Sequence, residues 1–310
     1  MEQNSADSQK YHHHYRTWAE RKGFSDWVLA LAWIIGAFIL FQITASVIAF
    51  VLIYSQNGLS GNTPNMADLV AEHLDLLFIG NSTGQILFLG LGTWFWSRLQ
   101  TSAAERTSFL RIKLNSDTFR HLLIAGILII ALQPLVWMLS WLNGLIPMPE
   151  FFSNIQSNQL EMIQQFLEKD YSIWLMLFHV ALVPAVCEEI LYRSYVLRAF
   201  QKNWSIWPAI IVSGLFFGMY HVQLSNLIPL AFIGMILAYI TWTTQSVIPA
   251  MAAHFVNNGG SILAGKYFPQ SALAEMSPES MPPVSMVLIS LAITGFIVYW
   301  LYNQHEKKIA

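Results

Sequence analysis

Long apolar runs separated by short polar connections organise this chain, and they predict helices that cross a membrane. The runs occupy residues 27–54, 76–97, 121–146, 172–198, 205–222, 225–243, 246–265 and 284–302. Each approaches or exceeds the ~20 residues that a helix needs to cross about 30 Å of hydrocarbon. The predicted fold class is all-α, a polytopic transmembrane helical bundle of about eight spans. A polar tail over 1–26 precedes the N-terminal transmembrane helices of 27–146. An interfacial segment over 147–171 leads into a core over 172–265, and 266–310 supply a loop, the last span and a short tail. In the interfacial segment Leu160, Ile163, Phe166 and Leu167 recur at helical spacing, which predicts a short amphipathic helix on the outer surface; a gate over a buried site is its functional alternative. No internal repeat and no second domain are visible.

Charge gives an independent test of this topology. Lys10, Arg16, Arg21 and Lys22 precede the first span; Arg98, Arg106, Arg111, Lys113 and Arg120 lie between the second and third; Arg198 and Lys202 follow the fourth; Lys307 and Lys308 close the chain. Thirteen of the 16 basic residues thus fall on one face, so the excess of positive charge expected on the inner side places both termini in the cytoplasm, as expected of a multi-pass protein of the cell membrane. The run from Trp27 to Tyr54 is too long for the apolar stretch of a signal peptide and is read as a span.

Composition agrees with a membrane protein. Hydrophobic residues make up 55% and charged residues 11%, with a mean hydropathy of +0.47. A soluble domain carries roughly twice that share of charge. The net charge of −2 leaves no basic stripe to neutralise phosphates, which argues against nucleic acid as a partner. Lipids and membrane-associated peptides or proteins are the expected partners. Cys187 is the single cysteine, so an intrachain disulfide is excluded; next to carboxylates it is better read as a small apolar filler than as a nucleophile. His12, His13 and His14 form a short tract that is read as solvated rather than metal-binding.

Candidate chemistry lies in three polar groups set in apolar sequence: Glu188-Glu189-Ile-Leu-Tyr-Arg193, Phe217-Gly-Met-Tyr-His221 and His254-Phe-Val-Asn-Asn258. A carboxylate at bilayer depth costs several kcal/mol by most scales, so a pair of them there points to function. Glu189 and Arg193 stand four apart with the acid N-terminal, the favourable orientation for a helical ion pair. Glu188, turned about 100° away, has no such partner nearby and is the candidate general base. His254 and Asn258 share a helical face and suit the donors of an oxyanion hole. Two histidines and a carboxylate are also a familiar zinc set, with Glu188, His221 and His254 as its candidates. Helical rise puts Glu188 roughly 15 Å, His254 roughly 12 Å and His221 roughly 24 Å from the cytoplasmic ends of their spans. The three depths agree if the fifth helix is tilted or starts as late as Pro208.

Together the ordered motifs resemble the family of CAAX prenyl endopeptidases and bacteriocin-processing intramembrane proteases, over about residues 172–260. Pro184 and Gly234 fit that resemblance as well. It implies that Glu188 and His221 activate a water that attacks a peptide carbonyl, that His254 and Asn258 stabilise the oxyanion, and that Glu189 and Arg193 pair structurally. A zinc ion is the one cofactor that the resemblance brings into question. Ser194 and Ala238 stand where glycines are common, but both are small enough for close helix packing. A non-proteolytic membrane scaffold or an immunity or secretion factor of the same family is the alternative function, and a proton-coupled transporter is a further one. Transporters of that kind are usually built from paired halves with matching broken helices, and this chain shows no such pairing.

Overall fold

The computed structural model describes residues 17–57, 69, 72–268 and 280–309, and among them every regular element is a helix. Lys10, Arg16 and the tract His12–His14 lie outside the described residues. Helix α1 (Trp18–Lys22) opens on a capping box, in which Thr17 and Glu20 satisfy each other's backbone N–H groups, and closes on Gly23 at φ +72°. Then come α2 (Asp26–Asn57), α3 (Leu74–Leu99), the single turn α4 (Arg106–Phe109), α5 (Thr118–Ala131), α6 (Gln133–Gly144) and α7 (Glu150–Glu168). The second half holds α8 (Ile173–Gln201), α9 (Ile206–Tyr220), α10 (Leu227–Thr244), α11 (Ile248–Tyr267) and α12 (Val284–Ile309).

Each expected span is occupied by a helix, yet among the described residues only five helices are long and apolar enough to cross a membrane: α2, α3, α8, α10 with the turn before it, and α12. A sixth arises if α5 and α6, bent by 43°, count as one broken span. The break has a local cause. Pro134 lacks an N–H to donate, and Gln133 Nε2 takes the Ile129 carbonyl at 2.8 Å. The two remaining helices fall short for different reasons. At 15 residues α9 is too short, and α11 carries His254, Asn257 and Asn258. The protein is an integral membrane protein, and the two helices that fall short, α9 and α11, carry His221, His254 and Asn258 of the candidate site.

Close backbone approach sets the α9–α10 hairpin. A Cβ on Gly234 would sit 3.0 Å from the backbone of Gly214 and 3.0 Å from Phe217, so only glycine allows this contact without displacement. Fully buried Ala238 continues the small face of α10. Past Tyr220 the chain turns sharply at Val222, which adopts φ +54°, an uncommon value for a β-branched residue. Helix α7 reaches this turn: Gln159 accepts from Gln223 at 3.0 Å, and Gln156 accepts from the Ser225 hydroxyl. Phe166 buries the other end of α7 against Phe78 of α3, with ring centroids 4.0 Å apart. At the opposite end of the bundle the 245–247 turn is tied to the α4–α5 loop, by Val247 N–H to Arg111 O at 3.1 Å and Ser246 Oγ to Lys113 O at 2.8 Å.

Candidate active site

Helix α8 is not a uniform α-helix. Wider π-helical turns over Leu177–Leu182 and Ile190–Val196 flank a regular stretch, Val183–Glu189, that carries the glutamate pair. Such turns rotate side chains out of their ordinary register and are common at functional sites. Pro184 adds a second local effect. It has no N–H for the carbonyl of Val180, four residues earlier, and that carbonyl instead accepts from Asn258 Nδ2 of α11 at 3.2 Å. The proline thereby creates the docking point that holds α11 against α8.

Around Glu189 the polar groups form a continuous chain. Its Oε1 lies 2.9 Å from Arg193 Nη1 and 2.9 Å from His254 Nδ1, and Glu189 and Arg193 are fully buried. Arg193 Nη2 donates to the Gly234 carbonyl at 3.2 Å, while its guanidinium lies 4.1 Å from the centre of the Phe217 ring. A carboxylate only accepts, so His254 donates from Nδ1, and the neutral ring then presents the lone pair of Nε2. Asn258 Nδ2 faces that lone pair at 3.2 Å. Asn258 Oδ1 accepts from Asn257, and Gln133, at the α5–α6 break, donates to Asn257 Oδ1, both at 3.1 Å.

Glu188 lies on the other side of this network. It is 4% exposed, and its Oε2 has no hydrogen-bond partner among the described residues. His221 caps α9 and donates from Nδ1 to the Phe217 carbonyl at 2.9 Å, which leaves Nε2 with its lone pair when the ring is neutral. Phe217 joins the two histidines, its ring centroid 5.0 Å from that of His221 and 5.7 Å from that of His254. Helix α9 begins at Ile206, so His221 reaches the site without the later start at Pro208. Cys187 is buried, and its sulfur packs 3.4 Å from where a Cβ on Gly90 would lie, as a small filler between α8 and α3.

With this geometry in place, comparison with known proteins becomes informative. Residues 170–260 match the family described as type II CAAX prenyl endopeptidase, Rce1-like. Over this segment the chain is similar to the CAAX prenyl endopeptidase family. Residues 1–169 and 261–310 lie outside the match, and no curated protein or solved structure matches the chain. The matched CAAX-endopeptidase segment contains every candidate residue of the site, and the family is one of proteases.

Among the described residues no three His, Cys, Asp or Glu side chains are grouped to hold a metal ion. Glu189 and Asn258 engage both nitrogens of His254, so ligation would require Asn258 to move.

Several contributors to the site are absent from the sequence motifs. The Val180 carbonyl is signalled only by Pro184, four residues on, and Gln133 by its place before a proline within an apolar run. Asn257 stands inside the third motif but projects to Gln133 instead of His254. A separate polar contact joins Ser82 Oγ of α3 to His179 Nδ1 of α8 at 2.7 Å. A cavity of about 330 Å³ lies not at the carboxylates but between α6, α7 and Ser225, just past His221 and Val222, with Ser140, Ser153 and Ser157 on its wall.

Proposed function

We propose that the chain is an intramembrane endopeptidase that hydrolyses a peptide bond of a membrane-associated protein or peptide. The observation that supports this best is the buried carboxyl of Glu188, without an ion-pair partner among the described residues, beside Glu189, whose Oε1 is held by both Arg193 and His254. Glu188, aided by the free Nε2 of His221, takes a proton from water, and the water oxygen attacks the carbonyl carbon of the scissile bond. The Asn258 amide donates to the developing oxyanion, and His254, held through Nδ1 by Glu189, joins it from Nε2 when that nitrogen takes up a proton. For this, Asn258 releases its contact with the His254 ring. Collapse of the tetrahedral intermediate breaks the C–N bond, and the leaving amine receives the proton from Glu188. No step is routed through a metal. The distribution of basic residues favours a cell-membrane setting with both termini cytoplasmic.

The test is cleavage of fluorogenic membrane peptides by detergent-purified protein, comparing wild type with Glu188→Ala and His254→Ala and assaying metal in the same samples. Wild type cleaves, and both variants lose on the order of 10²-fold or more in rate. Wild-type turnover in Glu188→Ala overturns the mechanism. Rescue of a deletion phenotype by Glu188→Ala as fully as by wild type favours the scaffold over the protease.

A further inference from the structure

Among the described residues, the buried oxygens that make no hydrogen bond to protein include Glu188 Oε2 and the hydroxyls of Tyr192 and Tyr220. Tyr192 follows Glu188 by one helical turn and so shares its side of α8. The Tyr192 and Tyr220 rings meet edge to face with centroids 5.9 Å apart, and Tyr220 contacts the His221 ring at 5.5 Å. Both phenols lie within electrostatic reach of the Glu188 carboxylate. Their rings are firmly seated, Tyr192 against Phe217 at 5.5 Å and Tyr220 against Phe38 and Phe41 of α2 at 5.4 and 6.1 Å.

Packing alone does not explain the hydroxyls. Phenylalanine would keep every one of these ring contacts without burying an unpaired polar group, which is ordinarily unfavourable. Two such donors beside an unpaired acceptor are complementary to it and to a small polar guest shared among the three, and a water molecule has that size and chemistry.

We propose that Tyr192 and Tyr220 form a donor pair that fixes the Glu188 carboxylate and the water it activates. The assignment rests on the hydrolytic reading above and adds two positioning residues to it. Neither phenol makes or breaks a covalent bond. Glu188 receives the proton of water, the water oxygen forms the new bond to carbon, and both tyrosines keep their protons while their hydrogen bonds hold the attacking oxygen in place.

The experiment uses full-length protein carrying Tyr192→Phe, Tyr220→Phe or both, with Tyr195→Phe as a control. Tyr195 is another buried phenol of α8, but its neighbours are Trp96 and Asp26. Two quantities are read: kcat and KM on a peptide that wild type cleaves, and the infrared carboxyl bands of Glu188, isolated by subtracting the spectrum of Glu188→Gln. The expected result is a fall in kcat of about tenfold for each single variant at unchanged KM, with wild-type kinetics in Tyr195→Phe. The Glu188 bands move in Tyr192→Phe and Tyr220→Phe and stay in place in Tyr195→Phe. Bands that do not move overturn the proposal, whatever happens to kcat, and so does kcat preserved to within about twofold in the double variant. Because the infrared reading needs no turnover, it decides the tyrosine contact even if no peptide is cleaved. Loss of the hydrolytic reading would instead show as unchanged cleavage in Glu188→Ala.

Discussion

Glu188 and Glu189 are adjacent, buried and borne by the same regular stretch of α8, yet the two sides of the helix treat them in opposite ways. On the Glu189 side a polar path runs from Gly234 through Arg193, Glu189 Oε1, His254 and Asn258 to Val180, and of its acceptors only Glu189 Oε2 lacks a partner among the described residues. On the Glu188 side its Oε2 and two phenol hydroxyls have no hydrogen-bond partner among the described residues. The first arrangement suits cohesion, because it neutralises a buried charge and fixes an imidazole. The second suits reaction, because a carboxylate tied to a guanidinium and an imidazole makes a poorer base than one that is not. One residue of sequence, about 100° of helix rotation, separates the two environments.

Substitutions can break this comparison, and the largest effect is expected where reactivity resides. Glu188→Gln should lower turnover on the order of 10³-fold, read by peptide cleavage, while leaving the thermal unfolding midpoint in detergent unchanged or raised. Glu189→Ala should do the reverse in kind. It strands the Arg193 guanidinium without its partner and should destabilise the protein by about 3–5 kcal/mol, seen as a large fall in the same midpoint. Gly234→Ala is a test of how the hairpin supports both sides. The added methyl meets the Gly214 backbone and Phe217, and overpacking of about 1–3 kcal/mol should appear with reduced activity as the Phe217 ring shifts. Asn258→Ala removes the bonds to Val180 and to His254, for roughly 1–2 kcal/mol of stability together with a loss of turnover.

The smallest effect belongs to an exposed carboxylate that serves as the contrast. Asp117 pairs with Lys308 at 2.8 Å and with Arg120 at 3.2 Å, and the hydrogen bond and charge of Lys308 hold its carboxyl below the usual aspartate range. A depressed carboxyl contributes stability above its unfolded value and loses it as pH falls through the folded one. Asp117→Asn should therefore leave the melting midpoint nearly unchanged at neutral pH and remove only a small acid-side dependence, measured by unfolding scans across pH.

How much of this was legible beforehand depended on the distance over which each feature is determined. Helix positions follow from apolar runs, and the Glu189–Arg193 relation spans one turn, so both show in the sequence. Contacts between distant segments do not. His254 stands 65 positions from Glu189, and nothing local announces that it binds the ion-paired glutamate. Pro184 is conspicuous in an apolar run, but its effect is to free a carbonyl for Asn258, which only the packing of α11 on α8 reveals. Counting spans by apolar length also misleads here, because α9 is shortened to end at His221 and α11 is made polar by its own site residues. The same substitutions that create the site erase part of the membrane signal.

The most direct test of the division between the two glutamates is a single paired measurement, turnover and melting midpoint of wild type, Glu188→Gln and Glu189→Gln purified side by side. Glu188→Gln should be folded and inert, and Glu189→Gln should melt well below wild type. A Glu188→Gln protein that still cleaves, or a Glu189→Gln protein as stable as wild type, would contradict the account.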